Sequence, residues 1–254
     1  MSNSKLADIE ILSPNWSYRK GNKIRKITIH HAAAVTSVEA LGMSFAKRER
    51  AGSSNYGIGN DGRIGLYVPE SKAAWTSGSQ ENDRQAITIE VSNSAIGGDY
   101  PISDEAWDSM IALCVDICQR NKISELVFTG DATGNLTMHR YFQATACPGE
   151  YLASRFGEIA ETVNATLRGE APMTREERKE FDALKATVES LQETNGIRWN
   201  YIDGNLPTWA KPTVQKLYER GVLVGNEKGE LQLSYQFLRE LVILDRSGAF
   251  DDSI

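Results

Sequence analysis

The sequence predicts an α/β protein: a mixed central β-sheet flanked by helices, followed by a linker helix and a small, mainly helical C-terminal module. Three observations predict it. Short apolar runs alternate with turn signals over the first two thirds of the chain, long stretches between them carry apolar residues at helical spacing, and the composition changes abruptly past Gly169. The resulting organisation is a catalytic-sized unit over residues 1–170, a linker or short coiled-coil helix over 171–196, and a small module over 197–254.

In chain order, strands are expected at Ile27 to His31, Tyr56 to Gly59, Ile64 to Val68, Ala86 to Ser92 and Glu125 to Thr129. Asn60, Asp61 and Gly62 supply the turn that joins the second and third as a hairpin. Helices are expected at Val38 to Arg50, Asp104 to Asn121 and Glu150 to Leu167. Ser103 is placed to cap the second of these, with Asp104 and Glu105 suited to its positive end. Ala171, Pro172 and Met173 then lead into a charged helix in which Phe181, Leu184, Val188 and Leu191 repeat at intervals of three and four. That spacing fits a short coiled coil, and so a homo-oligomer through residues 174–195, as well as it fits an ordinary amphipathic linker. Beyond it, one helix carries Val214, Leu217 and Tyr218, a Gly221-Val-Leu-Val-Gly turn breaks it, and a second spans Tyr235 to Asp245.

Composition narrows the function classes. At 254 residues the chain holds one ordinary catalytic domain and a small second module, and 41% hydrophobic with 24% charged residues reads as globular. A net charge of -6 argues against a general nucleic-acid binder, and the basic run Arg19, Lys20, Lys23, Arg25, Lys26 is too short to reverse that. No apolar stretch is long enough to cross a bilayer, and Met-Ser-Asn-Ser-Lys lacks the apolar core of a signal peptide, so a cytoplasmic product is expected. Cys114 and Cys118 lie in one apolar helical stripe and read as packing residues rather than a redox pair.

The chemistry concentrates in two segments. His139 and Cys147 stand in Met-His-Arg-Tyr-Phe-Gln-Ala-Thr-Ala-Cys-Pro-Gly, and His30 and His31 close Lys-Ile-Thr-Ile-His-His; together they contain all 3 histidines. Two imidazoles and a thiolate make a three-ligand zinc site whose fourth tetrahedral position is open to water, the arrangement of a hydrolytic rather than a structural ion. The spacing matches no zinc-finger pattern, so by residue type alone these side chains fit packing roles as well. His30 and His31 point to opposite faces of a strand and cannot easily share one ion. Glu90 ends Ile-Thr-Ile-Glu on a strand expected beside that of His30, where it serves either as a general base or as a solvent-facing strand residue.

Five segments in one order, Ile-Thr-Ile-His-His-Ala, Ser-Asn-Tyr-Gly-Ile, Ala-Trp-Thr-Ser-Gly, Ala-Ile-Thr-Ile-Glu-Val and His139 to Gly149, resemble the zinc-dependent N-acetylmuramoyl-L-alanine amidases of type 2. That family includes the peptidoglycan-recognition proteins and many bacteriophage endolysins, and the resemblance covers about residues 20 to 168. It implies Zn2+ held by His30, His139 and Cys147, with Glu90 as the base, although Thr88 stands where the family motif has Gly. It implies that Tyr56 lies near zinc and donates to a tetrahedral oxyanion, against the competing reading of an aromatic packed under the sheet. Thr145 falls where some relatives carry Lys and others Thr, and its hydroxyl orients an oxyanion without supplying a cation. His31 is left to a supporting or substrate-facing role, and Trp75 to lining a groove for a sugar or peptide stem.

The expected activity is hydrolysis of the amide between N-acetylmuramic acid and L-alanine in bacterial cell-wall peptidoglycan, by a phage or prophage endolysin that stays in the cytoplasm until a holin opens the membrane. The alternatives are a host autolysin and a non-catalytic peptidoglycan receptor, the latter disfavoured by the presence of Cys147. The C-terminal helix, turn and helix order looks like one surface-layer-homology unit, a wall-anchoring module.

Overall fold

The structure, a computed structural model, describes residues 2–171 and 175–250. The expected linker residues Pro172 and Met173, and Thr174 at the start of the heptad segment, lie outside them. The chain divides into two units, Met1–Pro172 and Met173–Ile254.

In the first unit the elements run β1 (Ile9–Glu10), β2 (Trp16–Tyr18), β3 (Lys26–His31), α1 (Val38–Phe45), β4 (Tyr56–Ile58), β5 (Ile64–Leu66), β6 (Lys72–Ala74), α2 (Gln80–Gln85), β7 (Ala86–Val91), α3 (Asp104–Asn121), β8 (Leu136–Met138), α4 (Glu150–Ala153) and α5 (Phe156–Leu167). Six of the strands form one mixed sheet in the order β1-β5-β4-β7-β3-β8, while β2 pairs with β6. β4 and β5 are the antiparallel hairpin closed by Asn60 to Gly62, and β3 lies parallel between β7 and β8.

Strict alternation along these strands gives the sheet two different faces. Ile27 and Ile29 of β3, Ile87 and Ile89 of β7, and Tyr56 and Ile58 of β4 point to one side, where they form a buried core with Trp107, Met110, Leu113 and Ile117 of α3 and Phe156, Ile159 and Val163 of α5. α3 begins where expected: the Ser103 hydroxyl accepts from the Ala106 N–H. The other side carries Thr28, His30, Gly57, Thr88, Glu90 and Thr137. Gly57 and Gly65 leave room there for the Tyr67 ring, since a Cβ on either would come within 2.6 Å of it.

Three sequence expectations are corrected. Glu125 to Thr129 is not a strand, because side chains satisfy its backbone: Asn164 bonds both the N–H and the carbonyl of Leu126, and Asn135 takes the Val127 N–H and the Glu125 carbonyl. The edge of β3 is taken instead by β8, which pairs Leu136 with Ile27 and ends immediately before His139. The helix expected over Val38 to Arg50 stops at Phe45, and a separate 3-10 turn spans Arg48–Arg50. The helix expected over Glu150 to Leu167 is divided into α4 and α5.

The second unit comprises α6 (Arg175–Asn195), β9 (Ile197–Trp199), α7 (Lys211–Glu219), β10 (Leu233–Ser234) and α8 (Tyr235–Arg246). β9 and β10 pair antiparallel. Val214 and Leu217 of α7 pack with Leu238, Leu241 and Val242 of α8 and with Leu206, Leu231 and Leu233. Asp245 joins the two helices, accepting from Thr213 at 2.7 Å and Lys216 at 2.8 Å.

Candidate metal centre

His30 is the penultimate residue of β3, β8 runs directly into His139, and Cys147 follows on the loop after the 3-10 turn His139–Tyr141. The parallel pairing of β3 with β8 therefore brings two imidazoles from distant parts of the chain to one end of the sheet, with ring centroids 4.7 Å apart. The Cys147 Sγ lies 3.6 Å from His30 Nδ1, and one ligand atom from each of His30, His139 and Cys147 falls within 4.8 Å of the others. His30 and Cys147 are buried and His139 is partly exposed, so the cluster is open on one side.

The donor set fits a divalent ion such as zinc. Burial, reinforced by His139 and His31, holds His30 well below the usual imidazole range, so its ring is neutral and its nitrogen lone pair free for a metal. Its buried Nε2 has no hydrogen-bond partner. Burial pushes the Cys147 thiol up to about 12, with the Glu90 charge adding to that, and against both stand the His31 backbone N–H and Arg140. A buried thiol between imidazoles ionises readily only when a cation is beside it.

The ligand loop is held by neighbours that residue types alone did not single out. Arg140 donates to the Ala146 carbonyl at 2.8 Å and to the Cys147 carbonyl at 3.4 Å, tying the loop back to the turn that carries His139. Gln143 Oε1 lies 3.0 Å from His139 Nε2. Gly149, at φ +83°, passes so close to His31 that a Cβ would sit 3.1 Å from its Nδ1. Beneath the ligands lies a polar layer: Thr28 and Thr137 share a hydrogen bond across β3 and β8 at 3.0 Å, Asn82 donates to Thr28, and Ser54, Asn55 and Thr76 bond Thr88. Only the adjacency of Arg140 to His139 was visible in the sequence; the rest are polar residues whose meeting depends on the sheet.

Glu90 reaches the ligand face. It is the register partner of His30 across β3 and β7, with Gly57 on its other side. Burial pushes its carboxyl up to about 8, and Arg50 pulls the other way. Thr145 lies beside the ligands, its hydroxyl accepting from the Cys147 N–H at 3.2 Å. Trp75 is partly exposed, its indole N–H on Ser17, in the loop whose next residue, Thr76, bonds Thr88.

Tyr56 does not take the place at the metal, and of the two roles open to His31 only the supporting one fits its position. Tyr56 points to the apolar face, fully buried in the core, where its hydroxyl donates to Glu70 at 2.7 Å and accepts from the Ser4 N–H at 2.8 Å. As the register partner of Ile89 rather than Glu90, it cannot reach an oxyanion at the metal. The His31 side chain is likewise turned away from the His30 face and buried, its ring edge-on to Tyr100 at 5.0 Å, so it does not face a substrate; only its main-chain N–H approaches Cys147.

The profile of the N-acetylmuramoyl-L-alanine amidase family matches residues 20–150, which is more than half of the chain and includes every ligand. The chain belongs to this family of peptidoglycan amidases. The profile of the S-layer homology domain matches residues 202–232 of the second unit. A comparison with curated proteins returns no match. Among solved structures, the Staphylococcus aureus hydrolase AmiA in complex with its ligand is 18% identical, with a TM-score of 0.50 over 67% of this chain and 90% of that one. A mutant endolysin from Bacillus subtilis is 19% identical, with a TM-score of 0.46 over 61% of this amidase and 97% of that chain. The amidase LysC from Clostridium intestinale is 19% identical, with a TM-score of 0.44 over 59% and 93%. At such identity the likeness to AmiA speaks for the fold: a mixed sheet with helices on it. Among the described residues of the amidase no helix is long and apolar enough to cross a membrane.

Proposed function

We propose that this amidase is a zinc-dependent N-acetylmuramoyl-L-alanine amidase that cuts the bond between N-acetylmuramic acid and L-alanine, in the role of a phage or prophage endolysin. The observation that carries the chemistry is the convergence of His30, His139 and Cys147 at one end of the sheet with Glu90 in register beside them. Zinc on those three ligands supplies Lewis acidity towards a water and towards the scissile carbonyl. A cation on those ligands would favour the ionised form of Glu90 against its burial, and the carboxylate then takes the proton of the attacking water and returns it to the departing alanine nitrogen, a role worth roughly 10²–10⁴ in rate. Thr145, whose oxygen already accepts from the Cys147 N–H, keeps its own proton to offer an oxyanion. Trp75, with its ring partly exposed, lines the approach of the glycan or peptide stem.

The endolysin role is supported by the two-unit construction. An enzyme acting on an insoluble polymer gains from a second module that keeps it there, and residues 202–232 match a domain type named for the surface layer. The deciding measurement is the release of new N-terminal alanine from purified cell walls. Release that stops with a chelator and resumes with added zinc is the expected result. Walls bound without any new amine would leave a receptor in place of the enzyme.

A further inference from the structure

α6 presents an apolar seam that the described residues of its own unit leave about half exposed. Phe181, Leu184, Val188 and Leu191 are 48%, 61%, 43% and 54% exposed, and none of them enters the buried cluster formed by α7, α8 and the strands. Four large apolar side chains in one row on a 21-residue helix are costly to leave in water. Their spacing is that of the a and d positions of a coiled coil, with Phe181 and Val188 at a and Leu184 and Leu191 at d.

The charges flanking this seam identify what covers it. In that register Glu180 falls at g and Lys185 at the following e, and both are exposed. In a parallel pair of helices a g residue meets the e residue five positions later on its partner, so Glu180 of each copy meets Lys185 of the other, twice per pair. An antiparallel pair aligned on the same four residues sets Lys185 beside Lys185 of the second copy, which is repulsive. A membrane surface fits less well, because residues 175–191 carry four basic and five acidic side chains rather than the basic flank that anionic lipid attracts.

We infer that α6 is a parallel two-fold interface through which two copies of this chain associate, with Phe181, Leu184, Val188 and Leu191 as its seam and Glu180–Lys185 pairs as its register lock. The interface is isologous and needs no other partner. Because the seam holds only two heptads, association is weak and concentration-dependent. Its consequence is avidity: two C-terminal modules on one assembly bind a wall polymer more tightly than either alone, without any new contact to it. The inference does not depend on the amidase chemistry, since α6 lies outside the unit that holds the metal ligands.

Sedimentation equilibrium of the full-length protein tests it. The weight-average mass is expected to rise from one chain towards two between about 1 and 200 µM, and Leu184→Glu is expected to move that rise at least tenfold higher in concentration, about 1.4 kcal/mol. Leu184 is exposed, so the variant keeps the helix content and thermal unfolding of the parent. Glu180→Lys and Lys185→Glu are each expected to weaken self-association, and an equimolar mixture of the two to restore it, because the mixed pair sets opposite charges together at both sites. A single-chain mass at every concentration overturns the inference, as does a dimer indifferent to Leu184→Glu. A dimer that is lost with Leu184→Glu but indifferent to both charge changes overturns the parallel register.

Discussion

The two faces of the central sheet are made by the same strands, and they do opposite work. On one, Ile27, Ile29, Ile87, Ile89 and Tyr56 meet α3 and α5 in a dry core. On the other, one residue further along each strand, Thr28 and Thr88 belong to a hydrogen-bonded floor, and His30 and Glu90 stand in register at its end. The comparison teaches that the meeting of His30 and Glu90 on one face rests on a period of two. A slip of one residue in β3 or β7 would turn His30 or Glu90 into the apolar core and set isoleucines against the buried polar layer. The polar floor therefore depends on the apolar face for its register, while the apolar face owes little to the floor.

Substitutions on each face should separate these roles. The largest effect is expected for Cys147→Ser: it removes one of three ligands, so zinc is lost on metal analysis and amide hydrolysis falls by more than ~10³-fold, with little change in the folded core. Glu90→Gln should keep zinc stoichiometry and lower kcat by about 10²–10⁴-fold, and full turnover in this variant would dismiss Glu90 as the base while leaving the metal site standing. On the apolar face, Ile89→Ala should cost about 2–5 kcal/mol of stability. It should be seen as a lowered Tm, with zinc content and kcat retained at temperatures where the protein stays folded. The smallest effect is expected for Tyr56→Phe, which removes the hydroxyl between Glu70 and the Ser4 N–H: a loss of roughly 1–2 kcal/mol in denaturant unfolding and unchanged kcat. If kcat instead collapsed while stability held, the division between the faces would be wrong at Tyr56.

Much of this was legible before any coordinates. The strands carrying His30, Tyr56 and Glu90, the Asn60 to Gly62 hairpin and the Ser103 cap follow from local pattern, because alternation, turn residues and caps act over a few positions. The segment Glu125 to Thr129 looked equally like a strand, but Asn135 and Asn164, 10 and 38 residues from their partners, took its backbone groups. β8, only three residues long, gave no pattern of its own. Of the two readings the sequence leaves open for Tyr56, the structure takes the packed one for a related reason: the motif Ser-Asn-Tyr-Gly-Ile names the residue but not the face, and the face follows from the register of β4 on β7.

Taken alone, the sequence determined the α/β class and the separate C-terminal module, while residue type gave His30, His31, His139, Cys147 and Glu90 as candidates and the family resemblance picked His30 from the first pair. Tertiary structure brings His30 rather than His31 to Cys147, and it alone decided that Tyr56 belongs to the core and that Arg140 and Gln143 bond the segments carrying Cys147 and His139. The physical reason is that burial, side-chain facing and hydrogen-bond partnership are properties of strand pairing between segments about 60 to 110 residues apart, and no local spacing encodes which segments pair.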